Sequence, residues 1–161
     1  MTYEYFAKVR HADTVERPSA LYRRDGGQRE YLSLLNWKWH PVAPPMHWPH
    51  ENTLVPVDAE TVARLLADRQ RFARYWIEPR SDEPLPGSAR RTETFVYRRL
   101  SSPERLVDEV FAPWNEWTTT DKIFDYLSPR SSAQPLLIPA DRDTVERILQ
   151  QERGITGATE L

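Results

Sequence analysis

Apolar and polar positions alternate over Tyr3 to Arg10, with Tyr3, Tyr5, Ala7 and Val9 on one side and Thr2, Glu4, Phe6 and Lys8 on the other. That period of two predicts a strand carrying an aromatic on each face. Ala20–Arg24 and Phe95–Arg99 read as further strands, each preceded by a breaker-rich segment, TVERPS or PRSDEPLPGSARR. Asp25-Gly26-Gly27 predicts a tight turn into a partner strand over Arg29–Leu35. In Glu104–Ala112, Leu106, Val107, Val110 and Phe111 also fit helical spacing, so strand and helix both remain open there.

Two segments predict helices. After Pro56 and Pro139, Asp58 and Asp141 stand where a side-chain oxygen can accept from the free amides of a first turn. Val57 can pack on Val62 across the first cap, and Ala140 on Val145 across the second. Val62, Leu65, Leu66, Arg69 and Ala73 then recur at helical spacing, as do Val145, Ile148 and Leu149, giving each helix one apolar face. The first helix is expected to run into Arg74.

These elements recur in order. Leu54, Pro56, Asp58, Thr61, Val62, Arg64 and Leu66 reappear as Leu137, Pro139, Asp141, Thr144, Val145, Arg147 and Leu149, at a constant offset of 83 residues. Upstream, ALYRR at Ala20–Arg24 matches FVYRR at Phe95–Arg99, NWKW at Asn36–Trp39 resembles PWNEW at Pro113–Trp117, and EYFAKVR resembles RYWIEPR at Arg74–Arg80. The offset grows along the chain, as loop insertions in a second copy produce. The reading is an α+β chain of two tandem copies, 1–74 and 75–161, each a small antiparallel sheet packed by one C-terminal amphipathic helix.

Composition narrows the chemistry. The 22 basic and 24 acidic residues leave a net charge of −2, so no general positive field favours nucleic acid or an anionic membrane. Zero cysteines exclude a disulfide framework, a thiolate zinc site and a cysteine nucleophile, and suit a reducing cytoplasm. The first residues lack the apolar run of a signal peptide, and no uncharged stretch approaches the roughly 20 residues of a membrane span. A cytoplasmic protein is expected.

No segment carries a nucleophile elbow or a phosphate-binding glycine loop. Asp121 and Asp125 share one face of a short helix capped by Thr120, a spacing typical of solvated carboxylates. His40, His47 and His50, with Glu51 or Asp58, offer metal-ligating groups, but the prolines between them hold extended backbone and none of the paired spacings of zinc sites occurs. Catalytic residues, metal and cofactor are therefore expected to be none. Binding residues are expected at Arg23, Arg24, Arg98 and Arg99, paired arginines that recur in both copies and whose neighbours must face opposite sides of a strand. Met46, His47, Trp48 and His50 join them, because the proline-rich segment His40–Glu51 is where the copies differ most and tryptophan and arginine dominate binding hot spots. Of the six tryptophans, Trp37, Trp39, Trp114 and Trp117 fall at repeated places, predicting packing for at least one of each pair.

A Tyr-rich strand ending in Arg, a strand ending in Arg-Arg, a Trp and an Asp-capped helix together resemble a unit found singly in small uncharacterised actinobacterial proteins. The resemblance carries no catalytic residue across and implies an accessory or immunity-like role. The expected function is a non-enzymatic module binding another protein, such as an immunity protein, inhibitor or regulatory adaptor. The alternative is a small enzyme or small-ligand protein with a pocket between the copies, using the histidine loop and the arginine pairs.

Overall fold

The computed structural model describes residues 2–79, 93–128 and 136–161. Arg80 and most of the breaker-rich segment before Phe95 lie outside the described residues. Among the described residues, ten strands and three α-helices follow in order: β1 Glu4–Lys8, β2 Ala20–Asp25, β3 Gln28–Leu32, β4 Trp39–Pro41, β5 Leu54–Val57, α1 Ala59–Ala67, β6 Ala73–Glu78, β7 Phe95–Ser102, β8 Arg105–Phe111, β9 Trp117–Thr119, α2 Lys122–Leu127, β10 Ile138–Ala140 and α3 Arg142–Arg153. The fold is α+β, with two five-stranded antiparallel sheets. Their strand orders are β4-β3-β2-β1-β5 and β9-β8-β7-β6-β10, so each strand of the second sheet stands five numbers on from its counterpart in the first. The chain divides into one unit of Met1–Ala73 with Leu100–Leu106 and another of Arg74–Arg99 with Val107–Leu161.

Local chemistry sets these elements. β2 and β3 join through Gly26-Gly27, and Gly26 takes the positive φ of +56° that a two-residue turn needs. The edge strands β5 and β10 each carry a proline, where a missing ladder donor is tolerated: Pro56 lies opposite Phe6 and Pro139 opposite Trp76. Asp58 Oδ1 accepts from Thr61 N at 2.7 Å and Asp141 Oδ1 from Thr144 N at 2.8 Å, so both predicted caps form. Glu104–Ala112 resolves as the strand β8.

Helix α1 stops at Ala67 instead of reaching Arg74. Asp68 leaves the helical region (φ −129°, ψ 86°), and a 3-10 turn over Arg69–Phe72 swings Phe72 into the core, edge-on to Trp37 at 5.7 Å. A third helix, α2, was expected only as a short segment after Thr120, whose Oγ1 accepts from Lys122 N.

The first sheet is covered on both faces, which explains aromatic residues on both sides of β1. On one face Ala7, Leu21 and Leu32 pack with Val62 and Leu65 of α1. Leu21, Leu32 and Leu65 are fully buried, each contributing about 1.5–3 kcal/mol. On the other face Phe6, Ala20, Tyr22, Tyr31 and Leu54 pack under Val42, Met46 and Trp48 of the proline-rich loop. In the second unit Trp76, Phe95, Tyr97, Val110 and Leu137 pack with Ile123 and Tyr126 of α2. These five sheet positions match the first unit's five one for one, so α2 stands where the first unit has the proline-rich loop.

Candidate functional site

Neighbouring arginines do face opposite sides of their strands. Arg23 Nε reaches Glu30 Oε2 at 2.6 Å, and its guanidinium stacks 4.0 Å from the Tyr3 ring centre and 4.5 Å from that of Trp39. Arg24 Nε reaches Glu4 Oε2 at 2.6 Å, with Glu51 at 3.6 Å and the Phe6 ring beneath. The second unit repeats the first of these arrangements: Arg98 Nε lies 2.9 Å from Glu109 Oε1 and its guanidinium 4.2 Å from the Trp117 ring centre. Arg99 grips Asp108 with two bonds of 2.7 and 2.8 Å. All four guanidiniums are thus held by carboxylates within their own sheets. Glu30 and Glu109 escaped the sequence comparison, although their equal placement opposite the repeated arginines was the available signal.

The loop residues fall apart into inward and outward sets. Trp48 stands edge-on to Phe6 at 5.9 Å and to Tyr22 at 5.5 Å, donates its indole N–H to Glu51, and lies under Arg29. Half-buried, it pins the loop to the sheet. Met46 is half-buried beside it, while His47 and His50 are exposed. His40 stacks on Tyr31 at 5.7 Å and bonds Asn36. Among the described residues no cluster of His and acidic side chains could hold a metal ion. Trp37, Trp39 and Trp117 are partly buried, whereas Trp114 is 63% exposed.

Met46, His47 and Pro49 border a cavity of about 340 Å³ in the first unit. Lys8, Arg10, Ser19, Ala20 and Tyr22 line it from the sheet side of the loop, together with Ser101–Pro103 and Leu106. Tyr22 is 3% exposed. Burial pushes its phenol up to about 12; the charges of Glu104 and Tyr31 add to this and that of Arg10 opposes it. Lys8 is half-buried, and its ammonium is shifted down, first by burial and then by Arg10, with Asp13 opposing. Glu104, close by, is held by the Ser33 and Ser102 hydroxyls. Neither Lys8 nor Arg10 forms a side-chain ion pair among the described residues. Sequence reasoning passed over both, because a lysine and an arginine on a strand end are ordinarily solvated; only the loop folding over Tyr22 makes them a lining.

No protein-family model matches the chain, and comparison with curated proteins and with solved structures finds no significant match. Among the described residues, no helix is long and apolar enough to cross a membrane.

Proposed function

We propose that this protein is a non-enzymatic module that binds another protein, built from two tandem copies of one α+β unit and working in the cytoplasm. The contact surface is the first unit's cleft together with the loop Met46–His50. One observation carries this reading: Trp48 anchors the loop from within, while Met46 and His47 stay at the mouth of a cavity with two cationic side chains in its wall. A loop held in place before binding loses little conformational freedom on association. The four repeated arginines keep the sheets' edges in order through their internal ion pairs, and Arg24 reaches the loop through Glu51. An immunity protein, inhibitor or adaptor fits such a surface. His47 on the cavity wall favours a second reading, a small-ligand protein.

Affinity capture from native cells, using the full chain and a Met46→Ala/His47→Ala double variant as baits, tests the proposal. A stoichiometric protein partner retained by the first and lost by the second supports it. A co-purifying metabolite with no protein partner overturns it in favour of the second reading.

A further inference from the structure

The two units differ in charge at one position, half-buried in the first and buried in the second. Phe6 and Trp76 each lie opposite the proline of an edge strand, and two residues further along the same face stand Lys8 in the first unit and Glu78 in the second. Tyr22 and Tyr97, both 3% exposed, are the matching tyrosines on the neighbouring strand. In the second unit the Tyr97 hydroxyl donates to Glu78 Oε2 at 2.9 Å, and the pair is buried. In the first unit the carboxylate is missing. Lys8 replaces it, the Tyr22 hydroxyl has no hydrogen-bond partner among the described residues, and the cavity opens beside both.

We propose that the first unit's cleft binds a carboxylate on an apolar stem, an acidic side chain or C-terminus of the partner protein, in place of the one Glu78 supplies internally to Tyr97. The Tyr22 hydroxyl donates to one carboxylate oxygen, and Lys8 with Arg10 neutralises the charge. Met46, Pro103 and Leu106 take the stem. A carboxylate held by charged donors in a partly desolvated cleft gains stronger bonds than it has in water. Tyr22 keeps its proton throughout the physiological range and so remains a donor, and an incoming anion offsets the burial that disfavours charge on Lys8. Glu104, whose charge reaches Tyr22, is engaged by two serine hydroxyls, and Asp13, whose charge reaches Lys8, accepts from the Arg10 backbone N–H; among the described residues neither forms an ion pair with Lys8 or Arg10.

The inference rests on the proposed binding surface, and a small probe tests it apart from the partner. Hexanoate titrated into the full chain should give saturable NMR shifts at Lys8 and Tyr22, with a dissociation constant on the order of millimolar. The uncharged 1-hexanol should not reproduce them. Lys8→Glu, which recreates the second unit's internal pair, should abolish the response, and Lys8→Met should weaken it at least fivefold if the acidic variant fails to fold. A short peptide with a free C-terminal leucine should compete with hexanoate, and its amide should not. Equal response to 1-hexanol, or an unchanged hexanoate response in a folded Lys8 variant, would overturn the carboxylate. Should that happen while Met46→Ala/His47→Ala still loses the captured partner, the binding surface stands and only its ligand chemistry falls.

Discussion

Arg98 lies 4.2 Å from the centre of the Trp117 ring with its Nε on Glu109, and Arg23 holds the same relation to Trp39 and Glu30. In each case the tryptophan starts the edge strand and the carboxylate sits on the strand between, so one guanidinium ties three strands together. Both pairs are largely shielded, at 12%/17% and 18%/18% side-chain exposure. Removing one partner leaves the other charge half-buried and unmatched. Glu109→Ala and Glu30→Ala should therefore each destabilise by about 1–3 kcal/mol, read from chemical denaturation midpoints. A midpoint unchanged in either variant would show that the ion pair is ornamental.

Trp48→Ala should lower stability by about 2–4 kcal/mol, because the ring packs on Phe6 and Tyr22 and holds the loop over the sheet. The thermal midpoint checks this. Full stability in the variant would move Trp48 from anchor to exposed contact.

Both helix caps lend themselves to measurement. Asp141→Ala should cost about 0.5–2 kcal/mol through loss of the bond to Thr144 N. At Asp58, hydrogen bonds from Thr61 hold the carboxyl below its ordinary value. Its contribution is therefore present above the unfolded carboxylate pKa, about 4, and is lost as pH falls through the lower folded value. The gap in thermal midpoint between the wild type and Asp58→Ala should close between pH 5 and pH 2, on the order of that window; a gap independent of pH would contradict the cap.

Tyr22 titrates late, at about 12, chiefly through burial. A phenol raised in the folded state contributes stability in full below the unfolded value, about 10, and loses it as pH rises toward the folded one. Tyr22→Phe should remove one tyrosinate from the alkaline end of an absorbance titration and flatten the fall in stability above pH 10, on the order of the unfolded value. Removal of a phenol that titrates near 10 would show that the cleft is wetter than its geometry requires.

Strands and caps were legible because short-range chemistry sets them. Asp58 and Asp141 cap through their own third neighbours, and Gly26 supplies a turn that few other residues allow. The end of α1 was misjudged because Arg69 and Ala73 continue a helical period that tertiary packing of Phe72 overrides. Trp114 and Trp37 were matched by spelling, yet Trp37 occupies the left-handed turn position (φ +60°) that Asn115 (φ +65°) fills in the second unit. The cleft was invisible for another reason: Lys8, Tyr22 and Met46 lie far apart in sequence, and only a loop crossing a sheet face joins them. Even so, the decisive difference, Lys8 against Glu78, was present in the aligned first strands.

Quantitative capture of the partner is to be compared for three baits carrying this chain: wild type, Lys8→Glu, and Trp114→Ala on the exposed turn of the second unit. Lys8→Glu, though folded, should retain less than about a tenth of the partner, a loss of ~1.4 kcal/mol or more, while Trp114→Ala should retain it in full. Undiminished capture by a folded Lys8→Glu bait, with loss in Trp114→Ala, would place the contact on the second unit and rule out the cleft beside Lys8.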